Sequence, residues 1–330
     1  MDAIKLAEEI IDGRRLKKDE PFINEFITTN LNELKQGADM IRKALVGDKV
    51  DLCTIINGRS GKCSENCKFC AQSAHHNTSC EVYDLLDEET IISAARANEA
   101  EGVDRFAIVC SGHHPSDEDF ERILHTYSRM NKELNLDLCT SLGFLTEEQF
   151  KKLREVGITS VHNNIETSRR YFPYICTTHT FDDKIANIKR AQKAGLNVCS
   201  GGIIGMGEDW EDRIDMAFTL SELNIKSIPI NSLMAITGTP LEKNESLSED
   251  DILRTIAIFR YINPCAEIRL AAGRALIEHD GREAFNSGAS ASITGNMLTT
   301  SGSTISSDLE MLTELGRDIT PYWQKRKAAE

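Results

Sequence analysis

No stretch of this chain is apolar for the roughly 20 residues that a membrane-spanning helix needs, and basic residues are fewer than acidic ones. Lysine and arginine number 38 against 52 aspartates and glutamates, a formal net charge of −14. That balance argues against a nucleic-acid surface, which needs clustered positive charge, and suits an anionic membrane surface poorly. The N-terminal Met-Asp-Ala-Ile-Lys-Leu-Ala-Glu-Glu-Ile-Ile-Asp-Gly lacks the pattern of a signal peptide and reads as an acidic amphipathic helix. No Pro/Gly/Ser-rich linker, low-complexity segment or short repeat divides the chain. With no export signal, the ten cysteines are expected in a reducing compartment, the cytoplasm, as metal ligands or catalytic groups rather than disulfides. The remaining balance, 40% hydrophobic and 27% charged over 330 residues, suits a globular protein with a large core.

The most informative stretch is Asn57-Gly-Arg-Ser-Gly-Lys-Cys63-Ser-Glu-Asn-Cys67-Lys-Phe-Cys70-Ala-Gln-Ser. A short loop with the spacing C-x3-C-x2-C can turn three thiolates toward one point. Thiolates are soft ligands and suit zinc or iron–sulfur clusters. A structural zinc site closes with four ligands, and a simple 4Fe-4S cluster takes four cysteines. Here only Cys80, His75 or His76 stands near enough in sequence to be a fourth, so a zinc knuckle completed by either histidine is the competing reading. The economical one is a 4Fe-4S cluster with one iron left open. In this the stretch resembles the radical S-adenosylmethionine (SAM) superfamily. The resemblance implies that the open iron binds SAM and that its reductive cleavage releases a 5′-deoxyadenosyl radical.

Residues 1–46 read as helices, with apolar faces Ile4, Leu6, Ala7, Ile10, Ile11 and Phe22, Phe26, Leu31, Leu34, Ile41, Leu45. They are expected to form an N-terminal cap packed outside the main fold. From Val50 onward, eight short apolar runs recur, at 51–57, 105–110, 136–143, 160–167, 197–204, 227–233, 267–273 and 291–298. Helix-like segments separate them at 87–101, 116–134, 146–156, 181–195, 211–223, 248–261 and 278–287, with a last one at 306–316. Asp87, Ser116, Thr146 and Ser248 stand as N-caps before acidic first turns. Strands alternating with helices predict an α/β fold, a (β/α)8 TIM-type barrel of parallel strands over residues 47–318. An open doubly wound sheet is the runner-up, and 319–330 read as a C-terminal tail.

Polar residues interrupt the apolar runs where barrel function gathers, at the C-terminal strand ends. They are Cys110, Cys139, Asn163, Asn164, Glu166, Cys199, Asn231 and Arg269. One buried cysteine is more often inert packing than a ligand. Three on separate strands, with an arginine on another, point to one interior site, which a second iron–sulfur cluster would explain.

The resemblance then narrows to the biotin synthase family, from about Val50 to about Asp318. It rests on Lys62-Cys-Ser-Glu-Asn-Cys-Lys-Phe-Cys-Ala-Gln-Ser73, Val198-Cys-Ser-Gly-Gly-Ile-Ile-Gly-Met-Gly207, Pro229-Ile-Asn231, Gly238-Thr-Pro-Leu241, Ile268-Arg-Leu-Ala-Ala-Gly-Arg274 and Met297-Leu-Thr-Thr300. The resemblance implies insertion of sulfur from an auxiliary cluster into dethiobiotin, closing the thiophane ring of biotin. It implies Cys63, Cys67 and Cys70 as SAM-cluster ligands. It implies Cys110, Cys139, Cys199 and Arg269 as ligands of the auxiliary cluster, 2Fe-2S in the family, though Cys53 and Cys176 leave room for a larger one. SAM is expected to meet Phe69, Glu166, Lys184, Gly201, Gly202, Ile203 and Asn164. Asn164 and Asn231 would bind the ureido group of dethiobiotin, an amide matching a cyclic urea as donor and acceptor. Thr299 and Thr300 would lie near its carboxylate. A homodimer and a flavodoxin- or ferredoxin-type electron donor are further implications.

The chain departs from the family pattern in places. Strand four commonly reads Tyr-Asn-His-Asn-Leu-Asp-Thr-Ser in the family and is Val161-His-Asn-Asn-Ile-Glu-Thr-Ser168 here. Glu166 replaces an aspartate, and Lys184 an arginine, losing bidentate geometry. His113 and His114 follow Cys110, as solvated loop residues or as groups that tune the second cluster. Cys80 and Cys265 read as surface or packing cysteines. Two other readings stay open: a hydrogenase-cofactor maturase or carbon-skeleton mutase of the same superfamily, and a non-catalytic zinc or iron–sulfur carrier.

Overall fold

The structure is a computed structural model and describes residues 1–295 and 303–329. The described residues form nine strand segments: β1 (Asp51–Arg59), β2 (Arg105–Cys110), β3 (Asp137–Ser141), β4 (Ile158–His162), β5 (Asn197–Cys199), β6 (Gly202–Ile204), β7 (Ser227–Ser232), β8 (Glu267–Leu270) and β9 (Ala291–Ile293). Neighbours pair in parallel in the order β5-β4-β3-β2-β1-β9-β8-β7-β6, and a further β5–β7 pairing at Cys199 and Ser227 closes the ring. β5 and β6 together make one staff of the barrel, so the eight apolar runs become an eight-staved (β/α)8 barrel. The open sheet is excluded by that closure.

The staff breaks where no side chain fits. A Cβ on Gly201 would lie 1.9 Å from the Pro229 carbonyl oxygen, and one on Gly202 would lie 2.4 Å from that of Glu166. Into the break folds the segment after β4. Ile165 N–H donates to the Gly201 carbonyl at 3.1 Å, and Ile203 N–H donates to that of Glu166 at 2.8 Å. Strand four therefore ends at His162, sooner than its apolar run. Asn163, Asn164 and Glu166 stand on a loop, where Glu166 takes a left-handed φ of 69°.

The helices begin where their caps stand. The side chains of Asp87, Ser116, Thr146 and Ser248 each accept from a backbone N–H in the first turn. At the N-terminus, helices Ala3–Ile11 and Leu31–Leu45 pack on helix Glu249–Ile262 as part of one continuous core. Tyr261 donates to the Ala3 carbonyl at 2.9 Å and meets Phe26 edge-on, with ring centroids 5.4 Å apart. Two helices lie where the sequence pattern showed none, Phe172–Ile175 and Tyr322–Ala329. The latter lies in the segment read as a tail. Its Tyr322 N–H donates to Asp104 at 2.7 Å, and Trp323 Nε1 donates to the Val103 carbonyl at 2.9 Å, against the N-terminal ends of the strands.

Candidate functional site

A (β/α)8 barrel interior is ordinarily filled with bulky branched side chains. This one is not. Strand alternation turns Asp51, Cys53, Ile55, Arg105, Ala107, Val109, Cys139, Ser160, His162, Cys199 and Ser227 inward, many of them small, and they line a cavity of about 480 Å³. The cavity runs from Phe69, Met234 and Ile236 at the C-terminal mouth to Lys226, Glu267 and Tyr322 at the other end.

Midway down, three thiols and an arginine share this cavity: Cys53, Cys139, Cys199 and Arg269. Burial pushes the thiols up, Cys139 to about 11, with Arg269 opposing the shift at all three. Arg269 pairs with Asp51 at 3.1 Å and donates to the Asp51 and Ser292 carbonyls, both at 3.0 Å. Burial would discharge this guanidinium, but Asp51 keeps it firmly charged.

Cys110 does not join them. The inward positions of β2 are Arg105, Ala107 and Val109, and Ala107 stands in register with Cys139. Cys110 has the opposite parity. It packs against the outer core near Gly58 and Arg59. Cys53, on β1 in register with Arg105, supplies the third thiol instead.

Above this group the barrel mouth is polar. Lys184 Nζ lies 3.5 Å from Glu166 Oε1, while Glu166 Oε2 is buried without a partner. An orphaned buried carboxylate oxygen calls for a hydroxyl or amine from a bound molecule. Asn164 Oδ1 accepts from Gly201 N–H at 2.9 Å, which leaves its amide NH2 free toward the cavity. Asn231 spends more of itself on the backbone, donating to the Gly202 carbonyl at 3.1 Å and accepting from Ala272 N–H at 3.2 Å. One donor and one lone pair remain to it. Phe69 and Ile203 pack with Tyr171 on Ile175, Met206, Leu233 and Leu241, an apolar wall suited to a flat ring. Thr299 and Thr300 lie outside the described residues.

The three-cysteine loop borders this mouth, folded by its own backbone. Cys63 N–H donates to the Gln72 carbonyl at 3.0 Å, Ala74 N–H to that of Cys63 at 2.8 Å, and Cys70 N–H to that of Cys67 at 3.0 Å. Cys63, Cys67 and Cys70 are all half-buried free thiols. Burial raises Cys70 to about 11, and Cys63 adds to the shift. The Cys70 thiol is thus held neutral until a metal takes the charge. His75 and His76 do not complete a zinc knuckle: each ring sits 3.0 Å from a backbone carbonyl, Ser64 and Cys67 respectively. His113 is no cluster neighbour either. It pairs with Glu65 at 2.8 Å and stacks on Phe144, while His114 meets the Pro115 carbonyl at 3.0 Å. Cys80 sits 3.6 Å from the Ser60 hydroxyl, and Cys265 is exposed.

Sequence reasoning passed over Asp51, Ser227 and Glu65. Asp51 and Ser227 hold Arg269, and Glu65 ties His113, Thr178 and His179 to the loop. Asp51 had a signal, standing two residues before Cys53 on the same strand face. No helix among the described residues is long and apolar enough to cross a membrane.

Known proteins place the chain in a family. Residues 59–220 match the Radical SAM superfamily, and residues 229–318 the Biotin and Thiamin Synthesis associated domain. Biotin synthase of Alkaliphilus metalliredigens is 58% identical over 316 residues, covering 96% of this chain and 99% of the relative. That of Clostridium beijerinckii is 58% identical over 315 residues, with the same coverage. Among solved structures, methylornithine synthase (PylB) aligns with a TM-score of 0.83 at 20% identity, covering 98% of this chain and all of that one. HydG from Carboxydothermus hydrogenoformans aligns at 0.79 and 16%, covering 96% and 78%. At those identities the two structures speak to the fold alone, whereas the sequence relatives span nearly the whole chain: it belongs to the biotin synthase family of radical SAM enzymes.

Proposed function

We propose that this enzyme converts dethiobiotin to biotin by radical sulfur insertion, with the mouth and the interior of the barrel as consecutive parts of one site. The observation that carries the reading is the order of residues along the cavity: Phe69 of the three-cysteine loop at the mouth, then Asn164, Asn231 and Glu166 with Lys184 beside it, then the thiols of Cys53, Cys139 and Cys199 with Arg269. When bound, the loop cluster with SAM supplies a hydrogen-abstracting radical, and an auxiliary iron–sulfur cluster supplies the sulfur.

The residues divide that work. Cys63, Cys67 and Cys70 would hold the 4Fe-4S cluster. Glu166 Oε2, lacking any partner, would accept from the SAM ribose, and the Lys184 ammonium would meet its carboxylate. Phe69 and Ile203 would cover the adenine, while Gly201 and Gly202, buried against Pro229 and Glu166, let Glu166 and Asn164 close in behind it. Asn164 would donate to the ureido carbonyl from its free NH2, and the remaining donor and lone pair of Asn231 make it the weaker partner. Thr299 and Thr300 would offer hydroxyls to the substrate carboxylate, as the resemblance implies. In the interior, Cys53 joins Cys139 and Cys199 as the thiol ligands, and Arg269 stands beside them, held by Asp51. With substrate bound, Phe69, Ile203, Leu233 and Met234 would shield a substrate radical from water. A flavodoxin- or ferredoxin-type donor, a second copy of the chain and a cytoplasmic setting complete the reading.

An anaerobic single-turnover assay of the reconstituted protein with dethiobiotin, SAM and a strong reductant tests this by mass spectrometry. Biotin with about two equivalents of 5′-deoxyadenosine, one per C–H bond broken, is the expected result. Deoxyadenosine without biotin would keep the radical chemistry and reject the substrate.

A further inference from the structure

Beside the three-cysteine loop stands a group that the proposed chemistry does not use. Cys176 caps the short helix Phe172–Ile175, and its Sγ lies 3.7 Å from Cys67 Sγ and 3.4 Å from His179 Nδ1. The three ligand atoms lie within 4.8 Å of one another. Cys176 and His179 are buried, and Cys67 is half-buried. Glu65 is hydrogen-bonded to His179 Nδ1 and accepts from the Thr178 hydroxyl at 2.6 Å.

These spacings are those of ligands on one ion. With metal–sulfur bonds of about 2.3 Å and metal–nitrogen bonds of about 2.0 Å, tetrahedral angles set S···S near ~3.8 Å and S···N near ~3.5 Å. A cubane instead puts each of its cysteines on a different iron and spreads them further apart. Two thiolates, an imidazole and a nearby carboxylate make a donor set of the zinc kind.

We infer that Cys67, Cys176 and His179, with Glu65 beside them, form a tetrahedral site for one divalent ion of the zinc class, and that its occupation excludes a cluster on Cys63, Cys67 and Cys70. The exclusion rests on the cluster reading given above, because Cys67 cannot serve both. The ion site does not rest on it. Its consequence is that an ion seated here keeps Cys67 from iron–sulfur assembly until it is removed.

The full chain, stripped of iron and kept reduced and anaerobic, is titrated with Co²⁺. One equivalent is expected to give the intense visible bands of a tetrahedral cobalt thiolate, which one equivalent of Zn²⁺ then bleaches. Cys176→Ser and His179→Gln, checked for native circular dichroism, should bind at least about tenfold more weakly. Cys63→Ala should bind as wild type does. A spectrum lost in Cys63→Ala and kept in Cys176→Ser, or an octahedral spectrum, overturns the site. One equivalent of Zn²⁺ should also slow cluster reconstitution in the wild type and not in Cys176→Ser. Tight zinc binding that leaves reconstitution unaffected overturns the exclusion, and the fault then lies in assigning Cys67 to the cluster.

Discussion

Cys53 and Cys110 stand on neighbouring strands, yet only Cys53 opens onto the cavity. Parallel barrel strands are apolar on both faces, so alternation cannot be read from RFAIVC alone. The consequence is testable with paired variants. Cys110→Ala should keep the interior cluster absorbance and biotin formation near wild type. Cys53→Ala should lose that absorbance while SAM cleavage continues on the loop. The reverse outcome would put Cys110 back in the site. His162 offers a second test. Burial holds its imidazole down to about 4, against an ordinary value near 6.5. The native chain therefore refuses a proton that the unfolded chain accepts. Stability is full above pH 6.5 and declines as the pH falls toward 4. The ring is partly open to the cavity, whose water screens some of the cost, so the loss is at most about 3 kcal/mol. Denaturant titrations of the cofactor-free protein at pH 7 and pH 5 should show the decline, and His162→Gln should flatten it.

Among the elements, the broken staff of β5 and β6 matters most to the site. Its break seats Glu166 and Asn164 at the mouth, and it exists because residues 201 and 202 have no side chain. Gly201→Ala would drive a methyl into the Pro229 carbonyl and should cost about 3 kcal/mol or more. A thermal melt lowered by less than a few degrees would mean that β7 can move aside at Pro229. The Gly-Gly pair was visible in the sequence, but the break was not, since 197–204 reads as one apolar run. Helix starts were the reverse case. A cap is a local contact between a side chain and an N–H three residues on, so Ser116, Thr146 and Ser248 could be read directly.

At the scale of the molecule, the terminal segments pack into the structure rather than decorate it. The N-terminal helices share the main core through Phe26, Tyr261 and Ala3, and Arg254 donates to the carbonyls of Phe26 and Thr29 at 3.0 and 2.7 Å. Phe26→Ala should destabilise by about 3–5 kcal/mol. It should do so within a single unfolding transition, followed by both far-ultraviolet dichroism and Trp210 and Trp323 fluorescence. Two separated transitions would mean that residues 1–46 form an independent unit.

The strand–helix rhythm led to the barrel, the cysteine spacing marked the three-cysteine loop, and the resemblance of a handful of short motifs implied the family. All of these are short-range: a motif, a cap and an apolar run are each complete within a dozen residues. Which thiols meet in the interior was decided only by the closed barrel, because parity and register across strands choose Cys53 over Cys110. The meeting of Cys67 with Cys176 and His179, more than a hundred residues away along the chain, was likewise invisible until the fold brought the loop against the segment after β4.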